Sequence, residues 1–94
     1  MNNFSIPDIK LSWKQKLILD VMMDEFGGTA CGPELLAQCE NPDLKQLSIN
    51  EITWHMLRLR DAALVESVKT IYDGRSLNRY SITNFLRYGA VNIK

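Results

Sequence analysis

Ser48-Ile49-Asn50-Glu51 constrains this chain more than any other stretch. A serine hydroxyl can accept from the backbone N–H three residues on, and a glutamate there can reach back to the serine N–H. That reciprocal capping box fixes where a helix begins. The apolar residues that follow, Ile49, Ile52, Met56, Leu59 and Ala63, fall on one face at helical spacing, with Leu57 at its shoulder, and the pattern runs to about residue 62. Asn50, Glu51, Trp54, His55 and Arg58 are assigned to another face of the same helix.

Beyond that helix the period changes. Leu64 to Tyr72 (LVESVKTIY) is rich in β-branched and aromatic residues and alternates in part, as a strand does. Asp73-Gly74 is a hairpin turn signal, and Leu77 to Thr83 (LNRYSIT) returns as the second strand. Arg75-Ser76 beside the turn predicts a longer, more mobile tip than two residues would need. Val65, Val68, Tyr80 and Ile82 are the expected inner face.

Upstream, Ser12 can cap a helix over residues 12–26 whose stripe of Trp13, Leu17, Ile18, Val21, Met22 and Phe26 is expected in the core. Asp20, Asp24 and Glu25 face away, and Gly27-Gly28 stops the helix. Thr29-Ala30-Cys31 predicts a stub of edge strand. Pro33, whose missing N–H costs nothing at a helix start, opens a two-turn helix to Cys39, with Leu35, Leu36 and Cys39 inward. Asn41-Pro42-Asp43 ends it, and Leu44 to Leu47 forms either a further helical turn or a loop. Residues 1–11 are expected as a flexible arm, 84–88 as one more helical turn and 89–94 as a frayed tail, so the domain spans 12–88.

Three helices with short connections and a closing hairpin are a sufficient packing solution for one core, which is all that 94 residues can build. The expected fold is therefore α+β: a winged helix-turn-helix, with a three-helix core and a C-terminal β-hairpin wing.

Composition narrows the function. Eleven basic and eleven acidic side chains cancel, which argues against a purely electrostatic polyanion binder. The balance is uneven along the chain: residues 1–47 carry four bases against seven acids, and residues 48–94 carry seven against four. A nucleic-acid surface belongs in the second half. Cys31 and Cys39 form no CxxC pair and His55 stands without a ligand cluster, so neither a disulfide, a metal nor another cofactor is expected. No Gly-rich phosphate loop follows Gly27-Gly28, and His55 has no acid or nucleophile partner at helical spacing; an enzyme is not expected. A membrane span and a signal peptide are likewise absent from the pattern, which makes the cytoplasm the expected location.

A helix of this length fits a major groove about 12 Å wide, with its first turns at the base edges. On it Asn50 can pair with adenine and Arg58 can reach a guanine edge or a phosphate. Trp54 and His55 offer a flat apolar edge and a hydrogen-bond donor. Glu51 is either spent on the cap or accepts from cytosine, and Ser48 with the first helical N–H groups can hold a phosphate. Lys69, Arg75, Ser76 and Arg79 belong to the wing, with the two arginines expected at its tip beside the minor groove or backbone.

Residues 50–65, NEITWHMLRLRDAALV, resemble the recognition segment of ArsR-like and MarR-like winged-helix transcription regulators. Ile52, Thr53, His55, Met56 and Leu59 stand at the positions of that pattern, and Ala62-Ala63-Leu64-Val65 stands where it closes on Ala-Gly-Leu-Val. The strand, Gly/Arg-containing wing and returning strand of those regulators are similar to residues 66–83. The resemblance implies a sequence-specific binder of double-stranded DNA, often dimeric, with Thr53, Trp54, His55 and Arg58 near the DNA. Ala63 stands where glycine is usual, so the turn there is made without positive φ or with modest strain. The recognition segment contains none of the metal-sensing cysteines of the ArsR-like proteins, so metal sensing is not carried over, and their long dimerisation helix after the wing is not expected unless residues 84–94 and the N-terminal arm substitute for it. The alternative is a winged-helix protein-interaction module docking through the Trp54 face, and after it an RNA-binding or replication-accessory role. A basic helix-plus-wing face favours DNA; an apolar patch centred on Trp54 favours protein.

Overall fold

A computed structural model describes residues 11–83. Residues 1–10, the helical turn expected over 84–88 and the tail expected over 89–94 lie outside the described residues. Helix α1 runs Trp13–Phe26, strand β1 Thr29–Cys31, helix α2 Gly32–Gln38, and helix α3 Ile49–Asp61. Strands β2, Val65–Tyr72, and β3, Arg75–Ile82, follow, and a single 3₁₀ turn, Leu44–Gln46, separates α2 from α3. The fold is a winged helix-turn-helix.

Each helix begins as its sequence dictates. Ser12 accepts from the Gln15 N–H and Gln15 Oε1 accepts from the Ser12 N–H, a capping box that starts α1. Ser48 and Glu51 make the same pair of bonds, both at 3.0 Å, at the start of α3. Gly27, at φ 66°, stops α1. Helix α3 ends in a Schellman motif: the Leu64 N–H donates to Leu59 O and the Ala63 N–H to Arg60 O, both at 2.9 Å. Ala63 sits at φ 63°, so the strain expected where glycine is usual is present.

The core joins Ile18, Leu19 and Met22 of α1 to Leu35 of α2, Ile52, Met56 and Leu59 of α3, and Val65, Tyr80 and Ile82 of the sheet. Leu44 and Leu47 plug the connection between α2 and α3. Burying each large side chain contributes about 1.5–3 kcal/mol. A Cβ on Gly32 would lie 3.1 Å from Ile49 Cδ1 and 3.6 Å from Ile52 Cγ2. That glycine lets the first turn of α2 approach the first turn of α3 closely and sets the helix-turn-helix geometry.

The sheet has the order β1-β3-β2, antiparallel throughout. β1 pairs only with the far half of β3, Thr29 opposite Ser81, so the near half of the hairpin projects as the wing. The turn is tighter than its composition predicts. Tyr72 pairs directly with Arg75, and the loop is only Asp73 and Gly74, at φ 52° and 76°. Two positive φ values match the twist of the flanking strands, and Asp and Gly tolerate them. The tip is therefore not the longer loop expected, and Arg75 and Ser76 are strand residues.

Four side chains expected in the core lie elsewhere. Trp13 is 64% exposed, on a different side of the first turn of α1 from Gln15, which meets α3, and Leu19 is buried instead. Ile49, in the first turn of α3, stays 39% exposed although its Cδ1 lies against Gly32. Ala63 is exposed at the helix terminus. Val68 is 60% exposed: it pairs with Arg79, whereas Val65 pairs with Ile82, and successive strand residues face opposite sides.

Candidate nucleic-acid interface

Helix α3 is packed along one side by Ile52, His55, Met56 and Leu59. These positions are separated by three, four and seven residues, one helical stripe. The opposite side carries Asn50, Thr53, Trp54, Arg58 and Asp61, all exposed, with Leu57 half-buried among them. Trp54 is 55% exposed, and the Arg58 guanidinium lies over its ring at 4.9 Å.

Two residues expected on this face are turned away from it. His55 is only 8% exposed, and its Nδ1 lies 3.2 Å from Gln15 Nε2 of α1. The stripe spacing carries the ring under the helix, where burial above all, and then the positive charge of Lys14, holds its pKa below the ordinary imidazole value. Glu51 is spent twice: Oε1 accepts from the Ser48 N–H, and Oε2 accepts from Lys14 Nζ at 2.6 Å. The Lys14 hydrogen bond and then the Ser48 amide hold its carboxyl below the usual carboxylate range. Lys14 and Gln15 therefore brace the candidate reading helix from 37 and 40 residues away. Local spacing marks Gln15 only as the partner of the Ser12 cap and does not mark Lys14.

On the wing, Lys69, Arg75 and Ser76 are exposed, Arg75 beside the turn and Lys69 opposite Asn78. Arg79 is not at the tip. It lies well down β3, and its Nη1 pairs with Glu34 Oε1 at 3.2 Å, tying the wing to the start of α2. Glu34 Oε1 also accepts from the Cys31 N–H, so the same carboxylate caps α2. Arg60 donates to Ser67 Oγ at 3.3 Å and joins α3 to the base of the wing. Among the described residues, Arg58, Arg60, Lys69 and Arg75 form no ion pair. Asp61 and Asp73 lie on the same two elements and lower the net charge.

The thiols of Cys31 and Cys39 are buried and free, each with its pKa raised chiefly by burial. Among the described residues no cluster of three or more His, Cys, Asp or Glu could hold a metal ion. None of the described helices is long and apolar enough to cross a membrane.

The same architecture is found in Stf76 from the Sulfolobus islandicus plasmid-virus pSSVx, at a TM-score of 0.55 and 19% identity, over 77% of this chain and 82% of Stf76. That likeness is one of fold. No family model and no curated protein matches the chain. The similarity is thus to a winged-helix protein, without assignment to the ArsR-like or MarR-like regulators in particular.

Proposed function

We propose that this protein binds double-stranded DNA sequence-specifically and acts as a transcriptional regulator. Helix α3 enters the major groove, and the wing rests on the adjoining backbone or minor groove. The observation that carries this reading is the division of α3 into a fully packed side and a polar side on which Asn50, Thr53, Trp54 and Arg58 stand exposed. Glu51, the acid best placed to repel a phosphate, is neutralised by Lys14. Asn50 presents the two-donor, two-acceptor amide suited to adenine, and Arg58 the fork suited to guanine. Arg60, Lys69 and Arg75 supply phosphate contacts. If two copies bind together, their α3 helices should lie about 34 Å apart on a two-fold site.

Selection from a randomised duplex pool, followed by anisotropy titration of the enriched and the random duplex at two salt concentrations, tests the proposal. An enriched duplex bound more tightly than random DNA supports it; equal binding of both, or none, overturns it.

A second reading, a protein-docking module, is favoured by one observation: Trp54 and Leu57 place an aromatic and an aliphatic side chain together on the outward side of α3. It predicts no enrichment from the pool.

A further inference from the structure

We infer that Trp54 and Arg58 act as one composite reader of a thymine–guanine step, with guanine taking the Arg58 donors and the thymine methyl lying against the Trp54–Arg58 stack. This rests on the duplex-DNA reading above and sharpens it to a base step.

The two side chains stand one turn apart on the outward side of α3, with the guanidinium 4.9 Å from the indole centroid. The indole is itself held: its ring meets the His55 ring edge-on, at 5.0 Å between centroids and 77° between planes. His55 is buried and held by Gln15. A chain of contacts from α1 through His55 and Trp54 therefore places the guanidinium before any ligand arrives. A pre-placed side chain loses less freedom on binding.

A guanidinium held over an aromatic ring keeps an N–H edge available to a third group. That edge is a row of N–H donors in one plane, and no acid among the described residues occupies it. In the major groove, guanine presents two adjacent acceptors, O6 and N7, that match this fork. The exposed part of the indole offers an apolar surface beside the guanidinium. The apolar group that a neighbouring base pair offers in the major groove is the 5-methyl of thymine. The guanidinium and the indole centroid lie 4.9 Å apart, between one and two base-pair rises of about 3.4 Å, so the two groups reach neighbouring base pairs rather than distant ones.

The test uses the enriched duplex with each thymine next to a guanine replaced by uracil, which keeps base pairing and removes only the methyl. A control duplex carries uracil at the other thymines instead. The full-length wild-type protein should bind the step-substituted duplex about four-fold more weakly per thymine lost, the value of one buried methyl. The control duplex should bind unchanged. Trp54→Ala, checked for folding by circular dichroism, should bind the thymine and uracil duplexes alike, and Trp54→Phe should keep part of the difference. Replacing the guanine by 7-deazaguanine should cost the wild type about ten-fold and Arg58→Ala far less. Equal wild-type binding of thymine and uracil duplexes, a thymine preference that survives in Trp54→Ala, or equal competition by single strands would overturn the inference. In the first two cases the DNA-binding reading stands. If the pool yields no enriched duplex, that reading fails first and this one with it.

Discussion

Gln15 Nε2 faces His55 Nδ1 at 3.2 Å, while Gln15 Oε1 accepts from the Ser12 N–H. With its oxygen committed to the α1 cap, the amide presents its NH₂ to the imidazole. His55 Nδ1 must then accept, which makes the ring neutral with its proton on Nε2. Protonation would oppose one N–H to another, inside a buried contact between α1 and α3.

The His55 pKa is lowered on folding, mainly by burial, so the unfolded chain binds the proton more readily. Stability should be level above the ordinary imidazole value of about 6.5 and fall as the pH drops below it toward the depressed folded value. Urea melts from about pH 8 to about pH 5 should show this decline in the wild type. In His55→Phe the decline over that window should largely vanish. A wild-type midpoint independent of pH across the window would contradict the neutral, buried assignment. Glu51 adds a separate loss at lower pH: its carboxyl pKa is depressed by Lys14, and its contribution disappears as the pH falls through that folded value.

Ala63 holds a left-handed conformation, φ 63°, to close α3 and open β2. An L-residue pays about 1–2 kcal/mol there, and glycine does not. Glycine costs part of that back in the unfolded chain. Ala63→Gly should therefore raise stability by about 0.5–1 kcal/mol and the melting temperature by about 4 °C. A lowered melting temperature would show that the turn is not strained.

Arg58→Ala should cost about 1–3 kcal/mol of affinity for the enriched duplex and far less for random DNA. An equal loss on both would make Arg58 a phosphate contact.

The wing should reveal itself through salt. Arg75→Ala and Lys69→Ala should each reduce the slope of log K against log salt by about 0.9 for one phosphate lost. Arg79→Ala should leave that slope unchanged, since its guanidinium is engaged by Glu34. If Arg79 changed the slope and Arg75 did not, the tip would not be the part of the wing that meets the backbone.

Local chemistry made much of the fold legible. The Ser48–Glu51 box, the Gly27-Gly28 stop and the Asp73-Gly74 turn each depend on residues within three positions, and each is found where its pattern puts it. Errors arose where burial depends on what lies across the fold. Trp13 and Ile49 continue apolar stripes by spacing, yet both stay exposed while their first-turn neighbours Lys14, Gln15 and Glu51 make the contacts between α1 and α3. His55 reads as outward by its polarity, although its spacing from Ile52 and Leu59 puts it on the packed stripe. Val68 is three residues from Val65, and strand parity alone excludes a shared face. Arg75-Ser76 reads as loop by composition, but the pairing of Tyr72 with Arg75 makes it strand. The roles of Lys14 and Gln15 against α3 have no local signal, because Glu51 and His55 are on another helix; the Ser12-x-x-Gln15 spacing shows only the cap.

The two tryptophans offer the most direct measurement of where DNA docks. Trp13 and Trp54 are both exposed, but only Trp54 lies on the outward side of α3. Their indole N–H signals can be followed by ¹⁵N NMR while the enriched duplex is titrated into labelled protein. The account predicts that the Trp54 indole shifts together with the amides of Asn50, Thr53 and Arg58, and that the Trp13 indole stays in place. Movement of Trp13 with Trp54 unperturbed would contradict it.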